Sequence, residues 1–154
     1  MRKDLTNNLG IVQTLAPITW SGNTPTDTGL TTVDGENCAS VEHVVNVGAS
    51  GDTLSGSVKV ALILQHSTDD STWAAVTDAG HYLRSSDMET LASGIVKNVD
   101  APADASTYYR VTYVGPYRYS RIYLDFTGNH ASGIVIGAIA IKKWRNVGSL
   151  APTA

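Results

Sequence analysis

Polar and apolar residues alternate along several short stretches of the chain, which is the period of a β-strand with one buried face. The alternation is clearest at 41–47 and 58–65, whereas 134–141 is apolar on both sides. Because a strand that is apolar on both sides is typical of the middle of a sheet, 134–141 is predicted to be a central strand. No segment shows a convincing 3.6-residue period of an amphipathic helix.

Turn-forming residues divide the rest of the chain at intervals of about 8–12 residues. Further candidate strands are 11–20, 30–33, 73–76, 95–99, 107–114 and 119–126, and the mixed segment 78–93 has room for a short helical turn. This pattern predicts an all-β fold, an antiparallel β-sandwich of about seven to nine strands with a jelly-roll arrangement. We expect residues 1–20 to form an N-terminal arm or edge strand, 21–146 the β-sandwich domain and 147–154 a C-terminal tail.

The stretches 107–114 and 119–126 flank the four residues GPYR and are predicted to form an antiparallel hairpin. Such a loop would place Thr112 opposite Arg121 and Arg110 opposite Tyr123. One face of the hairpin would be apolar and the other rich in tyrosine and arginine, as in a sheet that a core covers on one side.

The composition and net charge of the chain exclude or disfavour several classes of protein. The chain of 154 residues is 42% hydrophobic and 16% charged, with a net charge of −3. This hydrophobicity excludes a disordered chain, and the acidic balance disfavours a strong non-specific hold on nucleic acid. Cys38 is the single cysteine, so no intrachain disulfide can form. The first ten residues lack the apolar core of a secretory signal, and the longest apolar run, 133–141, is shorter than the roughly twenty residues of a membrane helix, so we expect synthesis in the cytoplasm.

No group of residues has the spacing of a catalytic or metal-binding motif. The four histidines, His43, His66, His81 and His130, are scattered along the chain and are expected at the surface or hydrogen-bonded in the core. Two acidic groups carry the oxygen ligands that calcium prefers, although turn-forming aspartates are a sufficient explanation of both. They are Asp69 with Asp70, and Asp34 with Glu36 and Asn37. We therefore predict no enzymatic activity, no cofactor and no metal.

The most distinctive segment is 108–123, YYRVTYVGPYRYSRIY, which holds six of the seven tyrosines and three arginines. Alternating aromatic and arginine side chains can bind another protein, a sugar or single-stranded nucleic acid. Cross-strand packing of tyrosine against arginine explains the same pattern without a ligand. A sugar site would need Tyr108, Tyr119 and Tyr123 to form one flat, exposed platform. The candidate protein-contact residues are Trp20, Tyr108, Arg110, Tyr117, Arg118, Tyr119, Arg121, Tyr123 and Trp144.

Two stretches resemble segments of small virion proteins of tailed bacteriophages. One is 62–76, LILQHSTDDSTWAAV, with a strand, a Ser/Asp turn and a tryptophan, and the other is 108–128, YYRVTYVGPYRYSRIYLDFTG. The resemblance is to capsid decoration or cement proteins, which are often jelly-roll-like and lie outside an icosahedral head. It covers about residues 25–145, and the C-terminal WRNVGSLAPTA offers no motif to match.

The resemblance implies a structural virion protein on the outer capsid surface, which binds the major capsid protein and stabilises the shell without touching membrane or nucleic acid. It also implies a homo-oligomer, with a trimer favoured because three equal arms can meet three equal sites. Residues 1–20 are the expected arm. Two alternatives stay open: another virion component, such as a head-fibre base, neck or tail protein, and a carbohydrate-binding β-sandwich module.

Overall fold

A computed structural model describes residues 8–22, 27–84 and 91–145, and these ranges contain eleven β-strands, three short 3₁₀ helices and no α-helix. The strands are β1 (Leu9–Gly22), β2 (Thr28–Gly29), β3 (Val33–Asp34), β4 (Cys38–Ser50), β5 (Lys59–Ser67), β6 (Ala74–Ala75), β7 (Tyr82–Arg84), β8 (Ile95–Val99), β9 (Thr107–Tyr113), β10 (Tyr119–Thr127) and β11 (His130–Trp144). The 3₁₀ helices are Ala79–His81, Ala92–Gly94 and Pro102–Asp104. Seven of these strands have five residues or more, in line with the predicted seven to nine.

The strands form two antiparallel sheets. The first sheet has the order β1-β11-β4-β9-β7, and the second has the order β2-β10-β5-β6, with β3 also paired to β10 and β8 to β5. The pairing is nested along the chain, because β1 pairs with β11, β2 and β3 with β10, β4 with β9, and β5 with β6 and β8. Nested pairing across two sheets is the arrangement of a jelly roll, so the predicted all-β jelly-roll sandwich is confirmed.

The core lies between the two sheets and is made by every second residue of the long strands. On β5, Val60, Leu62 and Leu64 point inward and are fully buried, and on β11 so are Ile134 and Ile136. Because strand side chains alternate between faces, the remaining residues of the same strands point to the two outer surfaces. Candidate contact residues that point away from the core therefore lie on one of these two outer surfaces.

The predicted hairpin between 107–114 and 119–126 is wrong. Both segments are strands, but β9 lies in the first sheet between β4 and β7, and β10 lies in the second sheet beside β5. The GPYR segment thus crosses from one sheet to the other. Each strand has a longer partner elsewhere: β10 pairs with β5 over nine positions, from Tyr119–Ser67 to Thr127–Lys59. The predicted faces are correct, since Val111 and Ile122 both point into the core, from opposite sides of it.

The N-terminal segment contains a long strand, whereas the segment 30–33 contains only the start of one. Leu9–Gly22 is an edge strand of the first sheet. The candidate strand 30–33 is shorter than expected, because only Val33 belongs to β3 and Leu30 donates its N–H to the carbonyl of Ile122 from a loop. Residues 1–7 and the tail 147–154 lie outside the described residues.

Candidate protein-contact surface

The tyrosines and arginines of segment 108–123 do not form one surface. Tyr108 and Arg110 project from the outer side of the first sheet, whereas Tyr119, Arg121 and Tyr123 project from the outer side of the second. The two outer sides of a sandwich face in opposite directions. The platform of Tyr108, Tyr119 and Tyr123 that a sugar site would need is therefore absent.

Arg118 is held by an internal ion pair. Its guanidinium donates to both carboxylate oxygens of Asp34, at 2.9 and 2.6 Å, and lies 2.8 Å from a carboxylate oxygen of Glu36. The hydrogen bond from Arg118 keeps the pKa of the Asp34 carboxyl below its usual range. The two carboxylates that could have held calcium are thus already paired with a cation of the same chain, and the pair ties the loop after β3 to the GPYR crossover.

Arg121 lies in a stack of aromatic rings on the outer side of the second sheet. The guanidinium carbon is 4.1 Å from the centre of a Trp73 ring and 5.8 Å from the Tyr123 ring, and Nε donates to Oε1 of Gln65 at 2.9 Å. Its own guanidinium also fills the space beside Gly29, where a Cβ atom would collide with it. Arg121 is thus satisfied by contacts within its own chain.

The remaining residues of the tract also have partners in the chain. Arg110 forms an ion pair of 3.4 Å with Glu42 on the neighbouring strand, and the ring of Tyr117 lies 4.3 Å from that of His66. Tyr119 is covered by the guanidinium of Arg118 at 5.2 Å. Tyr108 is the most exposed of these side chains, at 63% of its surface. Cross-strand packing explains the tract better than a dedicated binding site does.

The two flanking tryptophans have different surroundings. Trp20 is half-buried and packs against Phe126 with a ring separation of 5.2 Å, so it belongs to the rim of the core. Within the described residues its indole Nε1 has no hydrogen-bond partner, and neither has Nδ1 of the buried His130. Trp144 ends β11 at the surface, where it lies against Gly10 and carries the Lys142 ammonium group 4.8 Å from its ring.

The histidines agree with the prediction that they are hydrogen-bonded in the core or at the surface. His43 is buried between the sheets with Nε2 2.9 Å from the hydroxyl of Ser120, and burial lowers its pKa to about 4. His66 has Nδ1 3.2 Å from the hydroxyl of Tyr113, and burial again lowers its pKa. His81 lies near the surface, 3.7 Å from the carboxylate of Asp78. Within the described residues, no three His, Cys, Asp or Glu side chains converge on one point.

Asp69 also has the role expected of an aspartate in a turn. Its Oδ1 accepts hydrogen bonds from the N–H groups of Ser71 and Thr72 at 2.9 and 2.8 Å and from the hydroxyl of Ser67 at 2.9 Å. These donors, above all the two N–H groups, hold the pKa of Asp69 well below its usual range. The carboxylate organises the turn after β5.

An apolar surface that none of the described residues covers lies on the outer side of the first sheet. We call it the apolar face, and its members are Ile11 on β1, Ile139 and Ile141 on β11, and Val44 on β4. Register places Ile11 beside Ile141 and Ile139 beside Val44, so these side chains adjoin across three neighbouring strands. Gln13 beside Ile139 and Glu42 beside Ile141 form the polar border of the face. Ile11 is 71% exposed and Ile139 37%. Contiguous apolar surface of this kind marks a contact with another macromolecule more often than scattered apolar residues do.

The sequence of 134–141 indicates a central strand, and the same residues could also have indicated the apolar face. It is apolar on both sides and does lie in the middle of the first sheet, between β1 and β4. In a sandwich of two sheets, however, each sheet has only one covered side. Apolar residues on both sides of β11 therefore indicate an exposed apolar stripe as well as a buried one.

Comparisons with known proteins identify no family for this chain. No protein-family model matches the chain, and no curated protein does. One solved structure with some similarity is the N-terminal part of Clostridium thermocellum xylanase 10B, with CBM22-1 and GH10 modules, complexed with xylohexaose. The sequences are 14% identical, the match covers 94% of this chain and 28% of that chain, and the TM-score is 0.38. Such values support no inference about activity or ligand. Among the described residues, no helix is long and apolar enough to cross a membrane.

Proposed function

We propose that this protein is a non-enzymatic structural component of a virion, which binds the outside of an icosahedral capsid and stabilises it as a decoration or cement protein. The observation that carries the proposal is the apolar face, a contiguous surface on a jelly-roll domain that no described residue covers. The sequence resemblance of 62–76 and 108–128 to virion proteins supplies the class of partner, which is the major capsid protein.

The mechanism is thermodynamic linkage. Covering apolar surface is favourable by roughly 25 cal/mol for each Å² removed from water. A protein that covers this face only on the mature lattice adds its binding free energy to that lattice and none to the disassembled subunits. Many equivalent copies then act together on one shell. The partner surface should be apolar and flat, since the apolar face is the side of a sheet.

The first experiment uses particles of the phage or phage-like element that encodes this chain. Cryo-electron microscopy and quantitative mass spectrometry of purified particles should show regular density over the outer shell and copies in the tens to hundreds. Density restricted to one vertex or to the tail would contradict the cement role and support a neck or tail protein. Absence from the particles would overturn a virion role of either kind.

A matched pair of variants tests the surface itself. Purified protein is added to particles that lack it, and bound protein is measured after sedimentation. Ile139→Glu should weaken binding more than about tenfold, because a carboxylate would be buried without a partner. Thr127→Glu adds the same charge at an exposed position of the second sheet and should bind like the unchanged protein. Equal binding by both variants would show that the apolar face is not the contact.

Carbohydrate binding is a second candidate, favoured by the aromatic side chains that the second sheet presents around Arg121. Trp73 and Tyr123 are the residues a sugar ring would stack on, although the guanidinium already covers one face of Trp73. A glycan array is the direct test. Binding that Tyr123→Ala removes and that Tyr108→Ala, on the opposite sheet, leaves intact would establish this role and displace the first.

A further inference from the structure

The N-terminal strand leaves an unusually long open edge. Among the described strands, only β11 pairs with β1, and the other strands at the sheet edges have two, three or five residues. Long unpaired edges tend to pair with another chain, so natural proteins shorten them, charge them or bulge them. The 14 residues of β1, LGIVQTLAPITWSG, contain no charged side chain.

Protection of the edge is limited to its second half. Register shifts interrupt the pairing of β1 with β11 between Gln13 and Leu15 and between Leu15 and Ile18, and Pro17 lies in this region. In addition, the carbonyl of Thr14 accepts a hydrogen bond from the N–H of Thr31. From Leu9 to Gln13 the register runs without a break. This regular segment is the part of the edge that can accept another strand.

The main-chain groups of Leu9–Gln13 point alternately toward β11 and toward the open edge. Trp144 donates its N–H to the carbonyl of Asn8, which therefore points toward β11. Main-chain groups of successive strand residues point alternately to the two sides, so those of Gly10 and Val12 also point toward β11. The N–H and C=O groups of Leu9, Ile11 and Gln13 consequently point to the open edge.

We propose that a second copy of this chain pairs antiparallel with Leu9–Gln13 about a two-fold axis at Ile11. In this register Ile11 faces Ile11 of the other copy, and Leu9 faces Gln13. The three pairs exchange about six main-chain hydrogen bonds, two for each pair whose groups point at each other. The two five-stranded sheets then join into one continuous sheet.

Charge and surface continuity favour a second copy as the occupant. A two-fold axis at Ile11 brings every residue of the segment close to residues of an identical segment, so any charge would meet a like charge. The segment has none. Ile11 and Ile141 are neighbours on the outer side of the first sheet, so the pairing also extends the apolar face across the axis. The resulting assembly is a closed dimer in place of the trimer expected from the sequence.

Cysteine substitution tests the register. In the dimer, the two Cα atoms at position 11 are about 5.5 Å apart, within the range that a disulfide spans. Ile11→Cys should therefore form a covalent dimer on mild oxidation. The matched control is Leu83→Cys, which is 60% exposed on the opposite edge of the same sheet. Equal cross-linking of both variants would reveal random collision and overturn the proposal. The native Cys38 is buried, and cross-linking of the unchanged protein measures the background from this residue.

Sedimentation of the unmodified chain provides the second test. Because the contact is short, the dissociation constant should be in the micromolar range or weaker, and concentrations up to about a millimolar are needed. Ile11→Lys should stay monomeric where the unchanged protein dimerises, since two ammonium groups would meet at the axis, whereas Leu83→Lys should still dimerise. A monomer at every concentration, or a trimer, would overturn the pairing. Neither test uses particles, so loss of dimerisation and loss of capsid binding are separate outcomes.

Discussion

At the scale of single residues, the polar groups inside the sandwich explain how its stability should depend on pH. His43 is buried beside Ser120, and its pKa is lowered to about 4 because burial disfavours the imidazolium form. The unfolded chain takes up this proton near pH 6.5, well before the folded chain does. The neutral histidine therefore contributes stability that is fully present above pH 6.5 and is lost as the pH falls toward 4.

We expect the free energy of unfolding to decrease between pH 6.5 and 4, by on the order of 3 kcal/mol from His43 alone. His66 acts in the same direction, since its pKa is also lowered. The aspartates with lowered pKa values, among them Asp52 and Asp69, lose their contributions only as the pH falls below the usual carboxyl range. Urea unfolding at pH 7, 6, 5 and 4.5 measures the slope. His43→Gln should flatten it, and an unchanged slope in that variant would contradict the assignment.

At the scale of elements, one turn shows how a backbone requirement decides a residue type. Gly128 lies between β10 and β11 with a φ of +82°, and a Cβ atom at this position would collide with the carbonyl oxygen of Ser57. Both the left-handed conformation and the close approach of two backbones therefore require glycine here.

Gly128→Ala should lower the free energy of unfolding by about 2 kcal/mol or more, because an alanine must both adopt a positive φ and displace a backbone atom. Gly56→Ala is the matched control. Gly56 is exposed, and a Cβ atom added to it would have no neighbouring atom within 4 Å, so the change should stay within about 0.5 kcal/mol. Denaturant titration of the two variants compares the values directly. Similar losses in both would show that the turn does not demand glycine.

The strands themselves could be predicted from the sequence, but their partners could not. Period-two alternation identified 41–47 and 58–65 and also assigned the inward side of 119–126, and the further candidate 95–99 is a strand as well. Which strands pair with each other depends on contacts between distant parts of the chain. The alternation of polar and apolar residues carries no information about these contacts. Thr112 and Arg121 were thus expected side by side in a hairpin, although they lie on opposite outer sides of the sandwich.

The candidate site was harder to predict for the same reason. Tyrosine and arginine are conspicuous in a sequence, yet Arg118 and Arg121 are occupied by Asp34 and Trp73, which are remote in the chain. The apolar face is inconspicuous because its residues look like core residues. Ile11 and Ile139 become exceptional only when the number of layers is known, since a two-layer sandwich leaves one side of each sheet uncovered.

At the scale of the whole molecule, the nested topology gives the two outer sides different characters. The outer side of the second sheet carries Arg121, whose guanidinium stacks on Trp73 and donates to Gln65 within the chain. The first sheet brings together the first and last strands, and with them Ile11 and Ile141. Packing therefore favours the first sheet as the surface for protein contact, although the sequence pointed to residues of both.

The same nesting should make folding slow. The most extensive strand contact joins β1 to β11, which lie at opposite ends of the described chain, so the contacts that complete the first sheet close the longest loops. Proteins dominated by such non-local pairing fold in milliseconds to seconds, because loop-closure entropy is lost before the contacts form. We expect refolding from urea at about 0.1–100 per second, and Val12→Ala, in β1, should mainly speed unfolding if β1 docks late. Stopped-flow fluorescence measures both rates, and refolding within microseconds would be inconsistent with this topology.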